Sequence, residues 1–174
     1  MNEFTDILRD ATAAIAELYM QLPVEGGEAR FRERVYCYEL YHQLRCRWPE
    51  HGLYALNGEV DKRGHPFAAL AGSQAIPDLL VHTPGNMAGN HVIIEVKPAN
   101  AQVAGIREDF RKLKLFRGQD IHYERAIYLF YGPLNINRVT RVADEDEFAS
   151  LPAVELWLHS ASGVSAEHVI TFER

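Results

Sequence analysis

Apolar residues at Phe4, Leu8, Ala11, Ile15 and Leu18 recur in alternating steps of four and three, the spacing of one helix face, and predict an amphipathic helix over residues 2–20. The turn-forming stretch LPVEGGE (22–28) ends it. A second helix is expected from about Glu28 to Trp48, rich in Phe, Tyr and Leu and closed by Pro49. Leu53 to Asp61 then reads as a strand, followed by a turn at KRGH (62–65). PDLLVH (77–82) and HVIIEVK (91–97) read as two further strands, joined by TPGNMAGN, a loop dense in turn formers. A helix from Ala101 to Phe116, stopped by Gly118, precedes the apolar run RAIYLFYG (125–132), a buried strand. VELWLHS (154–160) and HVITFE (168–173) form a terminal hairpin or two separate late strands.

The order α-α-β-β-β-α-β-(α)-β-β is that of a mixed α/β domain, a central sheet flanked by helices. Without repeats, low-complexity segments or linkers, residues 1–174 read as one domain: an N-terminal helix (1–21), a core (28–132) and an extension with the late strands (133–174). A chain of 174 residues can bury a core without disulfides or structural metals. Cys37 and Cys46 fall on opposite sides of the second helix, about 13 Å apart along its axis, so they are expected to stay reduced. The scattered histidines show no zinc spacing, and His82, His91 and His122 read as structural or surface groups. No apolar run is long enough to span a membrane, and MNEFTDILRD carries no apolar signal-peptide core, so a cytoplasmic protein is expected.

A net charge of −6 argues against a protein that coats nucleic acid, but the charge is uneven. Basic residues gather at Arg30, Arg32, Arg34, Arg45 and Arg47, and again at Arg107, Arg111, Lys112, Lys114 and Arg117, whereas DEDE (144–147) heads an acidic tail. The strand HVIIEVKPA (91–99) raises the sharper question. Residues two apart in a strand share a face, so Glu95 and Lys97 stand side by side while Ile94 and Val96 turn toward a core. An ion pair on a solvent face is one explanation; half of an active site is the other. Asp78, in AIPDLLVH, decides which is worth pursuing: if its strand pairs with HVIIEVK, two carboxylates and an ammonium meet at one point of the sheet. Metal-assisted phosphodiester hydrolysis uses such a grouping, with carboxylates holding Mg²⁺ and a lysine serving the attacking water.

IPD (76–78) followed by EVK (95–97), inside an α-β-β-β-α-β order spanning roughly 28–132, resembles the PD-(D/E)XK nuclease superfamily with the restriction-endonuclease-like fold. The resemblance implies a metal-dependent deoxyribonuclease in which Asp78 and Glu95 bind Mg²⁺ (or Mn²⁺) and Lys97 acts on the water. It also implies a further Glu from the preceding helix. Glu39, between Tyr38 and Leu40, is the expected residue, because Glu33 among Arg30, Arg32 and Arg34 has a surface explanation. The helix after EVK brings Gln102, Asp109 and Lys112 toward such a site. DNA is the implied partner, contacted through Arg107, Arg111, Lys112, Lys114 and Arg117 while the acidic tail faces away, and a homodimer is the arrangement with which many such enzymes cut two strands. The alternative is a catalytically inactive member of the same fold that binds nucleic acid or protein. No P-loop, dinucleotide-type glycine cluster or Ser/His/Asp signature supports a small-molecule enzyme.

Overall fold

The structure, a computed structural model, describes residues 2–59 and 76–174. Helices α1 (Asn2–Ala13), α2 (Glu17–Met20) and α3 (Glu33–Cys46) lead into strands β1 (Ala55–Gly58), β2 (Leu79–His82) and β3 (Asn90–Pro98). Then come α4 (Val103–Arg117), β4 (Arg125–Tyr131), α5 (Ile136–Ala143), β5 (Val154–His159) and β6 (Glu167–Phe172). Among the described residues this is an α/β protein with one six-stranded mixed sheet and five helices. Strand order follows the sequence: β1, β2 and β3 are antiparallel, β3, β4 and β5 parallel, and β6 returns antiparallel to β5. The two parallel joins each need a crossover, which α4 and α5 supply.

Two apolar cores sandwich the sheet, which is why its central strands read as nearly continuous apolar runs. On one face Val81, Ile94, Val96, Ile127 and Leu129 pack with Phe4 and Leu8 of α1 and Leu40 and Leu44 of α3. On the other, Ile93, Ala126, Tyr128 and Phe130 pack with Ile106, Phe110 and Leu113 of α4 and with Val139 and Val142 of α5. Alternate residues of β3 therefore serve opposite cores, and Glu95 and Lys97 fall on the α4 side.

The first two helices differ from their expected bounds for identifiable reasons. The predicted helix over 2–20 breaks after Ala13, and Leu18 is exposed while Met20 is buried. Tertiary partners take over there: Thr12 Oγ1 accepts the Ala166 N–H at 2.8 Å, and Ser162 Oγ donates to the Ile15 carbonyl at 2.9 Å. The second helix starts at Glu33, not Glu28, because Leu22 and Arg30 pair through both backbone hydrogen bonds and close the intervening loop. Of the strand expected over 53–61, residues Ala55–Gly58 are strand, and the KRGH turn lies outside the described residues. The late strands form an antiparallel pair. Both cysteines are free, Cys37 buried and Cys46 exposed. No helix among the described residues is long and apolar enough to cross a membrane.

Phe110 anchors α4 to the sheet. It is fully buried and meets Tyr128 edge-on at 5.2 Å, with Phe148 and Phe172 close by. Phe110→Ala should cost about 3–5 kcal/mol of stability, read as a lowered midpoint in urea unfolding.

Candidate active site

The antiparallel register pairs Leu79 with Ile94, and one step further sets Asp78 across from Glu95. Asp78 stands just before β2, and its Oδ2 accepts the Val96 N–H at 2.7 Å. The carboxylate thereby takes up a β3 donor beyond the end of the β2 ladder, and that bond holds it against the strand. Its own carbonyl accepts from Glu59 N–H at 3.1 Å, which ties it to the β1 side as well. Asp78, Glu95 and Lys97 thus meet at one end of the β2–β3 pair.

Glu95 is completely buried. Its Oε2 accepts from Lys112 Nζ in a short contact, and its Oε1 has no hydrogen-bond partner among the described residues. Lys97 Nζ donates to both carboxylate oxygens of Glu33 at 3.0 Å and lies 3.3 Å from Asp109 Oδ2. Asp109 Oδ1 in turn sits 3.1 Å from Lys112 Nζ, and Tyr128 Oη–H donates to Oδ2 at 2.9 Å. The cluster draws Glu33 from α3, Asp78 from the start of β2, Glu95 and Lys97 from β3, Asp109 and Lys112 from α4, and Tyr128 from β4. Among the described residues four carboxylates face two ammoniums.

That imbalance shows in the ionisation of the groups. Burial pushes the Asp78 carboxyl up to about 6; Glu33 adds to the rise, while the Val96 N–H, Lys112 and Lys97 oppose it. Burial also holds Glu95 well above the usual carboxylate range, with Asp78 and Asp109 adding and Lys112 opposing. Desolvation works against both lysines, yet the carboxylates outweigh it. Asp109 and Glu33 keep Lys97 above its ordinary value, and Glu95 and Asp109 do the same for Lys112.

The sequence-based candidates divide into those the structure gathers and those it does not. Asp78, Glu95, Lys97 and Lys112 are brought together, along with Asp109. Glu39, expected as the helix carboxylate, instead accepts from Gln43 Nε2 at 2.7 Å along α3, and Glu33, first residue of the helix, is the one that meets Lys97. The two glutamates are six residues apart, about 240° around the helix, so one face excludes the other. The acidic tail does not face away from α4 but packs on it. Arg107 makes a two-pronged bond to Glu145 at 2.6 Å, Arg111 donates to Glu147 at 2.9 Å, and Lys114 donates to the Glu147 carbonyl. Arg117 is turned onto the Tyr123 and Glu124 carbonyls, and Lys112 points into the cluster. The five basic residues expected to meet DNA phosphates are therefore engaged within the chain.

A hard cation with oxygen ligands suits the donors present. Among the described residues Glu95 Oε1 is buried without a partner, and the surrounding carboxylates exceed the local cations. Among the described residues no three His, Cys, Asp or Glu side chains form a metal cage, but Mg²⁺ is commonly held by one or two carboxylates together with water and substrate phosphate. Asp78 also lines an open cleft of about 430 Å³ with Tyr38, Tyr41 and Asn57, between α3 and β1. A larger cleft of about 520 Å³, around Trp48, Tyr54 and His91, is at the opposite end of β3 and contains none of the cluster.

The raised Asp78 pKa carries a stability consequence. A carboxyl that ionises near 6 when folded and near 3.8 when unfolded penalises the folded state at neutral pH, and the penalty vanishes as both forms become protonated. Asp78→Asn, keeping an acceptor for the Val96 N–H, should raise the unfolding midpoint of the metal-free protein above pH 6. The gain should shrink toward zero below about pH 4, checked by thermal melts across that range.

Comparison of the chain with protein-family profiles, with curated proteins and with solved structures finds no match in any of the three.

Proposed function

We propose that this chain is a Mg²⁺-dependent nuclease of the PD-(D/E)XK type that hydrolyses DNA phosphodiester bonds. The observation that carries the reading is the position of Asp78, one residue before β2 and bonded to the Val96 N–H, beside Glu95 of β3, with Lys97 two residues on and on the same face as Glu95. The order α3-β1-β2-β3-α4-β4, with its antiparallel three-stranded start and parallel continuation, supports a restriction-endonuclease-like core. DNA as the substrate rests on the resemblance of IPD and EVK to the superfamily motif.

In this reading Asp78 and Glu95 would hold the metal, whose chemistry would be to neutralise charge on the scissile phosphate and to make a bound water more acidic. Lys97 keeps an ammonium at the site, oriented by Glu33 and Asp109. From there it positions the attacking water and stabilises negative charge developing on the phosphoryl oxygens. Glu33, touching Lys97, is a positioning residue, and Tyr128 fixes Asp109 from the sheet. A second reading, a catalytically inactive binding module on the same fold, is favoured by the internal pairing of the α4 basic residues.

Incubation with plasmid, linear and single-stranded DNA in Mg²⁺ or Mn²⁺, against EDTA, separates the two readings: cleavage that EDTA abolishes supports the nuclease. Lys97→Met should then lower turnover by about 100-fold or more while leaving DNA and metal binding largely in place. Glu33→Gln should impair cleavage and Glu39→Gln should not. Binding without cleavage under every metal condition identifies the inactive module.

A further inference from the structure

Lys112 has a different position from the lysine of the EVK stretch, although both ammoniums share Asp109. Lys97 Nζ bonds Glu33, with Glu95 not among its partners; Lys112 Nζ bonds Glu95 directly. It reaches Glu95 from α4 across the sheet face, with its side chain only 17% exposed. Of the two Glu95 oxygens, one is taken by Lys112 and the other is buried without a partner among the described residues.

We propose that Lys112 is the resident counter-cation of Glu95 and competes with a divalent metal for that carboxylate, so that it sets the metal affinity of the site. The inference rests on the reading of Asp78 and Glu95 as the metal-holding pair. Two cations drawn to one buried carboxylate repel each other strongly where the surroundings screen poorly. Metal entry therefore requires Lys112 to loosen its hold on Oε2. The geometry provides for that withdrawal: Asp109 Oδ1, 3.1 Å from Nζ and one helical turn away on α4, can keep the ammonium paired. A lysine on its flexible four-carbon stem can make the move without disturbing the helix. In the absence of metal the same lysine spares the fold an uncompensated buried carboxylate.

A purely structural ion pair predicts the opposite sign. Removing one partner of such a pair loosens the site, and every property that depends on its geometry weakens together. Competition predicts that removing Lys112 strengthens metal binding. The test is Mn²⁺ titration of the intact chain, with free Mn²⁺ read by electron paramagnetic resonance and Mg²⁺ as competitor. Lys112→Met should bind Mn²⁺ about tenfold tighter or more than the wild type, Lys112→Arg should stay near the wild type, and Lys97→Met should change affinity less than Lys112→Met. Should Lys112→Met unfold too readily without metal, thermal melts replace the titration, and Mn²⁺ should then raise its midpoint more than that of the wild type. Equal or weaker Mn²⁺ binding by Lys112→Met, or a smaller metal-induced rise in its midpoint, overturns the role of Lys112 and leaves the metal-holding pair standing. Failure of both proteins to bind millimolar Mn²⁺ overturns the pair itself and the inference with it.

Discussion

A fully buried carboxylate in the middle of a sheet is costly, and Glu95 is the one on which the polar architecture here depends. It stands between Ile94 and Val96, both feeding one core, and faces the other beside Ile93. Left alone, such a charge costs several kcal/mol. Lys112 meets it from α4, Asp109 meets Lys112, and Tyr128 meets Asp109. The chain of partners runs on through Lys97 to Glu33, so that α3, β3, α4 and β4 are tied together by ionic and hydrogen-bonding contacts as well as by packing. One Glu95 oxygen is still unmatched among the described residues. A network that leaves a buried acceptor open is a poor stabiliser of the fold.

The surrounding fold explains how the cluster keeps its shape. Phe110 and Ile106 seat α4 on the sheet, which fixes the position of Asp109 and Lys112 on the same helix. The opposite side of that helix is clasped by the acidic segment, Arg107 to Glu145 and Arg111 to Glu147, while Arg174 reaches Asp144 from the chain's end. Exposed ion pairs of this kind contribute little each, but the two-pronged Arg107–Glu145 bond sets a geometry. It also means that a phosphate approaching α4 meets arginines that already have anionic partners.

Much of this was legible in the alternation of apolar positions. The strands and α4 were readable because their periodicity is strong, and the facing of Asp78 and Glu95 followed from two strands joined by a turn-rich loop. The break after Ala13 was not, because it depends on Ser162 and Ala166, about 150 residues away in sequence. Glu33, not Glu39, lies over Lys97, and neighbours in sequence do not reveal it: Tyr38, the aromatic beside Glu39, is exposed, and Glu33 finds its lysine on another element. Asp109 did leave a trace. It interrupts the apolar stripe Ile106, Phe110, Leu113 on a helix face, and a carboxylate there must find a cation. Pairing of the α4 arginines with DEDE left none, since opposite charges far apart in sequence carry no register.

The most direct test of the account is anomalous diffraction from crystals of the protein soaked in Mn²⁺, collected at the manganese edge. A peak should appear between the carboxylates of Asp78 and Glu95, with Lys112 Nζ drawn off Glu95 Oε2 toward Asp109. A Glu95 still bonded to Lys112 in saturating Mn²⁺, with no peak beside it, would contradict the account.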